Sequence, residues 1–168
     1  MNLYLVRHGE ASPVSGTMRR DADRTLTSRG EEDVSLFGDV LARVDGGITV
    51  ILTSPLVRAA QTARIIASRL PGQPAVKTTA NLSPGFRAQS FLAELAAIDT
   101  AAGVVAVGHQ PDLGEFLSIL LTEDQSAAFE LPPGAAVRIS YHSSNSVHDA
   151  TLHWLLTPEI LHKIRHAF

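Results

Sequence analysis

The chain contains no cysteine. Disulfides, thiolate nucleophiles and cysteine-ligated zinc are excluded, and the composition fits a reducing cytosol, where the chain is expected to work. Aromatic residues are scarce, at 5% with a single Trp, and charged residues make up 18%. Neither sign of charge dominates: 14 Lys and Arg stand against 17 Asp and Glu, a formal net charge of −3. That balance gives no electrostatic footprint for nucleic acid or an anionic membrane, so neither is expected as a partner. Long apolar runs are missing as well, since nothing approaches the roughly 20 residues that a membrane helix needs. The N-terminal run Leu3–Val6 is too short for a signal core and is interrupted by Arg7 and Glu10, so no secretory leader is expected.

The sequence does have enough apolar material for a core. Hydrophobic residues are 45% of 168, and no repeat or low-complexity tract divides them, so one domain over 1–168 is expected. Strand-like apolar runs alternate with helical patterns, which predicts an α/β fold with a largely parallel sheet. Strands are expected at Leu3–Val6, Ile48–Thr53, Ala75–Ala80, Val104–Gly108, Ala136–His142 and Thr151–Leu156. Ser28-Arg29-Gly30-Glu31 has the form of a capping box opening a helix to Val44. Val34, Phe37, Val40, Leu41 and Val44 follow at helical spacing. Ser54 and Pro55 are expected to cap and start a helix to Leu70. Further helices are expected over Phe86–Ile98 and Pro111–Leu121, with a last turn or two from Pro158. The polar stretch Ser12–Arg24 reads as a loop.

In this layout Arg7-His8, Arg58 and His109 each fall at or just beyond the C-terminal end of an expected parallel strand. Ligands of open α/β sheets bind at that edge. Two arginines and two histidines gathered there suit a phosphoryl group. The guanidinium fork matches phosphate oxygens and keeps its charge. Arg58 sits in the first turn of its helix, where free N–H groups also favour an anion. A neutral imidazole nitrogen can attack phosphorus and form a phosphoramidate that water later hydrolyses. Gly9 would let the backbone turn closely around the phosphate. This chemistry needs no metal or other cofactor, because the cationic side chains can stabilise the transferring oxygens. His142, His148, His153, His162 and His166 show no metal-ligand spacing.

Leu3-Tyr4-Leu5-Val6-Arg7-His8-Gly9-Glu10 resembles the opening of the histidine phosphatase superfamily, also called phosphoglycerate mutase-like. Thr53-Ser54-Pro55-Leu56-Val57-Arg58-Ala59-Ala60-Gln61-Thr62-Ala63 resembles its second arginine motif, and Val105-Ala106-Val107-Gly108-His109-Gln110-Pro111 its second histidine motif. Leu26-Thr27-Ser28-Arg29-Gly30 resembles the start of its first long helix. The resemblance implies a three-layer α/β/α sandwich with a mostly parallel central sheet. It implies His8 as the phosphorylated nucleophile, with Arg7, Arg58 and His109 completing the phosphate pocket. Gly9, Glu10 and Arg24 are expected at the substrate, and Gln61 and Thr62 are either supports of Arg58 or plain helix residues. Arg19, Arg20 and Arg24, interleaved with Asp21 and Asp23, read as a self-paired charged loop, with Arg24 the expected exception. Short bacterial phosphohistidine phosphatases of the SixA type are similar in their Arg-x-Leu-Thr segment, here Arg24–Thr27, and in a closing Trp-x-Leu-Thr-Pro-like segment, here Trp154–Pro158.

Ala80–Phe86 contains no acid, although mutase and alkyl-phosphatase branches carry a glutamate in the corresponding stretch. General acid catalysis contributes about a hundred- to ten-thousand-fold. An alkoxide needs that help far more than the imidazole of phosphohistidine, so a phosphorylated protein is the expected partner. Glu10 and Asp112 stand near enough to the motifs to substitute. A small-molecule phosphomonoesterase or mutase, or a non-catalytic phospho-ligand module, are the alternatives.

Overall fold

The computed structural model describes residues 1–14, 20–45, 47–99, 103–122, 127–141 and 150–165. Among them the elements run β1 (Asn2–Arg7), α1 (Ser28–Val44), β2 (Ile48–Thr53), α2 (Val57–Arg69), β3 (Ala75–Thr78), α3 (Ala88–Ala96), β4 (Gly103–Gly108), α4 (Asp112–Thr122), β5 (Ala136–Tyr141), β6 (Ala150–Leu156) and α5 (Pro158–Ile164). One six-stranded sheet has the order β3-β2-β4-β1-β5-β6. The first four in that order are parallel. β5 and β6 add an antiparallel edge, so the sheet is mixed. His142 and the C-terminal His166 lie outside the described residues, as do Arg19 and His148.

Burial of the central strands on both faces explains their unbroken apolar character. All six residues of β4 are buried, as are Leu3–Val6 of β1. Side-chain alternation divides the core in two. Leu3, Leu5, Val104 and Ala106 pack with Phe91, Leu95, Phe116 and Leu117 of α3 and α4. Tyr4, Val6, Val105 and Val107 pack on the other face with Phe37 and Leu41 of α1, Ile66 of α2 and Leu161 of α5. The result is the three-layer sandwich.

Several element boundaries differ from the expected ones by one to three residues. The N-cap of α1 is Thr27, whose hydroxyl accepts from Gly30 N at 3.0 Å, one residue before the expected capping box. Ser54-Pro55 forms an approach turn rather than the helix start. Leu56 stays extended at φ −67°, ψ 139°, and Ser54 Oγ accepts its N–H at 3.3 Å, so α2 begins at Val57. β3 stops at Thr78 because Thr79 caps a single 3₁₀ turn, Ala80–Leu82.

The loop after β1 lies tight against α1. Gly9 has no positive φ; its smallness is needed because a Cβ there would come within 2.8 Å of Val34 and 2.9 Å of the Gly30 carbonyl. The turn around the site therefore owes its glycine to helix packing. Gly30 meets the Glu10 backbone in the same way. Gly30→Ala should lower stability by about 1–3 kcal/mol through forced separation of α1 from this loop, as denaturant unfolding would show.

Candidate active site

Three strand tips converge at one end of the sheet. β1 runs directly into His8, whose N–H donates to the Gly108 carbonyl at the end of β4, at 3.1 Å. β2 leads through Ser54, whose N–H donates to Val107 O at 3.0 Å, into α2 and Arg58. β4 ends at Gly108 and presents His109 next. The turn before β5 closes the fourth side: Arg7 N donates to Ala135 O at 3.0 Å, and Gly134 N donates to His8 O at 3.0 Å. His8, Arg58 and His109 are all buried, at 8%, 5% and 3% exposure. The two imidazole centroids lie 5.0 Å apart.

Hydrogen bonding defines both rings. Arginine only donates, so the Arg58 Nε–H at 3.0 Å from His8 Nε2 makes that nitrogen an acceptor with its lone pair free of a proton. His8 Nδ1 carries the hydrogen and donates to Gly9 O at 2.8 Å. The same logic applies to His109. Its Nδ1 faces Arg58 Nη2 at 3.5 Å, and its Nε2–H donates to Ser54 Oγ at 2.8 Å. Burial pushes the His8 imidazolium down to about 4, reinforced by Arg58, Arg7 and Arg24. Burial, then His8 and Arg58, push that of His109 down to about 3. Both rings are neutral at pH 7, which is the state a nucleophilic imidazole requires.

A cavity of about 360 Å³ opens over these groups, bordered by Arg7, His8, Glu10, Arg24, Arg58 and His109, with Asp21, Pro84, Gln110 and Pro133 on its rim. All the expected site residues except Gly9 line it. Gly9 lies behind His8, and its N–H donates to Thr62 Oγ1 at 3.1 Å while that hydroxyl donates to Arg58 O at 2.8 Å. Thr62 thus ties the Gly9 loop to α2, and Gln61 accepts from Leu26 N at 2.9 Å. Arg7 donates from Nη1 to Leu131 O at 2.6 Å, and its buried Nε has no hydrogen-bond partner among the described residues. Arg24 is spent mainly on its own loop, donating to Ser12 O at 2.5 Å, Ala11 O at 3.2 Å and Asp21 Oδ1 at 3.1 Å.

The carboxylates differ from expectation. Asp112 does not line the cavity; its Oδ1 accepts from Gly85 N at 2.9 Å, which anchors the turn after β3. Glu10 does line it, with Oε1 accepting from the Thr27 hydroxyl at 2.8 Å. Asp21 was expected to pair within its loop, and it does so with Arg24, but it also reaches Arg58. Its Oδ2 accepts from Nη2 at 2.9 Å and its backbone O from Nη1 at 2.8 Å. Only its position three residues before Arg24 hints at this in sequence. Arg20 pairs with Asp23 in solvent. His162 binds the buried Asp33 at 2.6 Å and His153 meets Ser140 at 3.1 Å, both away from the cavity. No group of His, Asp and Glu arranged to hold a metal ion occurs among the described residues. No described helix is long and apolar enough to cross a membrane.

The chain belongs to the histidine phosphatase superfamily, whose branch 1 model matches residues 3–83. That places it with phosphatases acting on phosphorylated substrates. An uncharacterized protein of Picosynechococcus is 37% identical over 167 residues, covering 93% of this chain and 99% of that one. The fold is that of the protein histidine phosphatase SixA solved with tungstate, with TM-score 0.81 and 24% identity over 96% of this chain and 99% of that one. The alpha-ribazole phosphatase from Shigella flexneri is also similar, with TM-score 0.74 and 22% identity over 94% and 97%.

Burial of two neutral histidines has a consequence for stability. Their folded values of about 4 and about 3 lie below the ordinary 6.5, so between these limits the unfolded chain binds more protons. Stability is therefore full above pH 6.5 and falls as pH drops toward 4. The thermal midpoint should decline from pH 7 to 4.5, and His8→Gln with His109→Gln should flatten that decline. An equally steep decline in the double variant would contradict the assignment.

Proposed function

We propose that the protein is a metal-independent phosphatase that hydrolyses phosphohistidine on a protein, with His8 as the phosphoryl carrier. His8 Nε2 attacks phosphorus, the P–N bond of the substrate breaks, and the substrate imidazole leaves on its own proton. Water then attacks phospho-His8, giving orthophosphate and the free ring. Arg7 and Arg58 neutralise charge on the transferring oxygens, and His109 joins them when its Nδ1 takes up a proton from solvent as the anion enters. Before attack, the Arg58 Nε–H must move from the Nε2 lone pair to a phosphoryl oxygen, which keeps the nucleophile covered until an anion arrives.

The observation that carries the phosphohistidine reading is the state of the carboxylates on the cavity. Asp21 is held below the usual carboxylate range by its bonds to Arg24 and Arg58, so it is ionised at neutral pH and holds no proton to give. Glu10 is directed at the Thr27 hydroxyl. A leaving group that departs without a general acid fits such a site, and imidazole is one. The likeness to an alpha-ribazole phosphatase favours a second reading, a small-molecule phosphomonoesterase.

A substrate panel separates the two. The expected result is efficient turnover of phosphohistidine and slow turnover of an alkyl phosphate, and the reverse order selects the second reading. Single turnover quenched in base should leave phosphate on His8; phosphate on no enzyme residue would sink the mechanism. His8→Ala should lower turnover by about a thousandfold or more while tungstate still binds the remaining arginines.

A further inference from the structure

Arg58 meets the cavity with an edge that is already occupied. Its Nε faces His8, and both Nη groups are taken by one residue, Asp21, through a carboxylate oxygen at 2.9 Å and a backbone carbonyl at 2.8 Å. The carbonyl is a neutral contact on that side. The carboxylate adds a negative oxygen at the position where a phosphoryl oxygen would bind the same fork.

We propose that Asp21 is a specificity-determining residue whose carboxylate is an internal anion, seated on Arg58 and displaced by the phosphoryl group of the substrate. This rests on the reading of the cavity as a phosphoryl site. The two partners differ in their freedom to move. The Arg58 side chain is 6% exposed and fixed on α2, whereas that of Asp21 is 56% exposed on the three-residue turn Asp21–Asp23. Departure from Arg58 does not strand the carboxylate, because its other oxygen is 3.1 Å from Arg24 Nη1. The swing exchanges one ion pair and keeps the second.

Two consequences follow from the competition. A monoanion that offers Arg58 no more charge than Asp21 does gains little by displacing it, whereas a phosphoryl dianion gains. Orthophosphate, once released from His8, meets the returning carboxylate, so the product is held less tightly than three nearby arginines would otherwise hold it. Arg7 borders the same cavity and supplies a second guanidinium for the incoming anion.

Calorimetric titration with inorganic phosphate and with tungstate tests the inference on the full chain. Asp21→Asn keeps the backbone contact and should bind both anions about three- to tenfold more tightly, the range of a half-exposed charge-assisted contact. Asp23→Asn removes a charge from the same turn, where it pairs with the exposed Arg20, and should leave both affinities unchanged. On the wild type, the Asp21 carboxyl carbon resonance should move on saturation with phosphate. Unchanged or weaker binding by Asp21→Asn, an equal gain in Asp23→Asn, or an unmoved resonance would each overturn the proposal. Failure of the wild type to bind either anion would remove the phosphoryl-site reading along with it. Phosphate mapped to a residue other than His8 would end the His8 mechanism and leave the Asp21 competition standing.

Discussion

One N–H of Arg58, shared with the Nε2 lone pair of His8 where both side chains are buried, is the contact on which the rest depends. A guanidinium this buried cannot lose its charge, so it must be surrounded by acceptors. The structure supplies an imidazole nitrogen, a second imidazole and the loop residue Asp21. Accepting from Arg58 forces His8 into the tautomer with hydrogen on Nδ1, and the Gly9 carbonyl secures it from the other side. Desolvation and the neighbouring cations then keep the ring unprotonated. That nitrogen is thereby held neutral, oriented and shielded by a single arrangement.

The sandwich exists, from this viewpoint, to bring that arrangement together from distant parts of the chain. His8, Arg58 and His109 are 50 and 51 residues apart in successive steps of sequence, yet each follows a strand of the same parallel set. Strand tips are fixed by ladders buried on both faces, so the side chains that follow them inherit little freedom. Short ties complete the fixing: Ser54 to the far side of His109, Thr62 between Gly9 and Arg58, and the turn before β5 against His8. Each tie joins two elements whose own periodicity says nothing of the other.

Much of this was legible in the sequence because it follows from local pattern. The runs Ile48–Thr53 and Ser28–Val44 coincide with β2 and α1, since β-branched apolar residues and a regular apolar face identify buried strands and amphipathic helices without tertiary help. The convergence of Arg7, His8, Arg58 and His109 was legible for a topological reason, parallel strands ending on one edge. What escaped the sequence was decided by contacts across the fold. Thr27 displaces Ser28 as cap because α1 must press Gly30 against Glu10. Asp112 turns to Gly85, and Asp21 reaches across 37 residues to Arg58. No spacing rule foretells such side-chain choices in loops, where neighbouring charges offer several partners of similar strength.

The cavity combines three cationic side chains with two neutral imidazoles, and the proposed chemistry depends on the protonation state of one atom. Nitrogen-15 NMR of the labelled histidines reads that atom directly across a pH titration. The account predicts that His8 shows an unprotonated Nε2 and a hydrogen-bearing Nδ1 at neutral pH, and titrates only near pH 4. A His8 that gains its proton near pH 6.5, or that carries its hydrogen on Nε2, would contradict it.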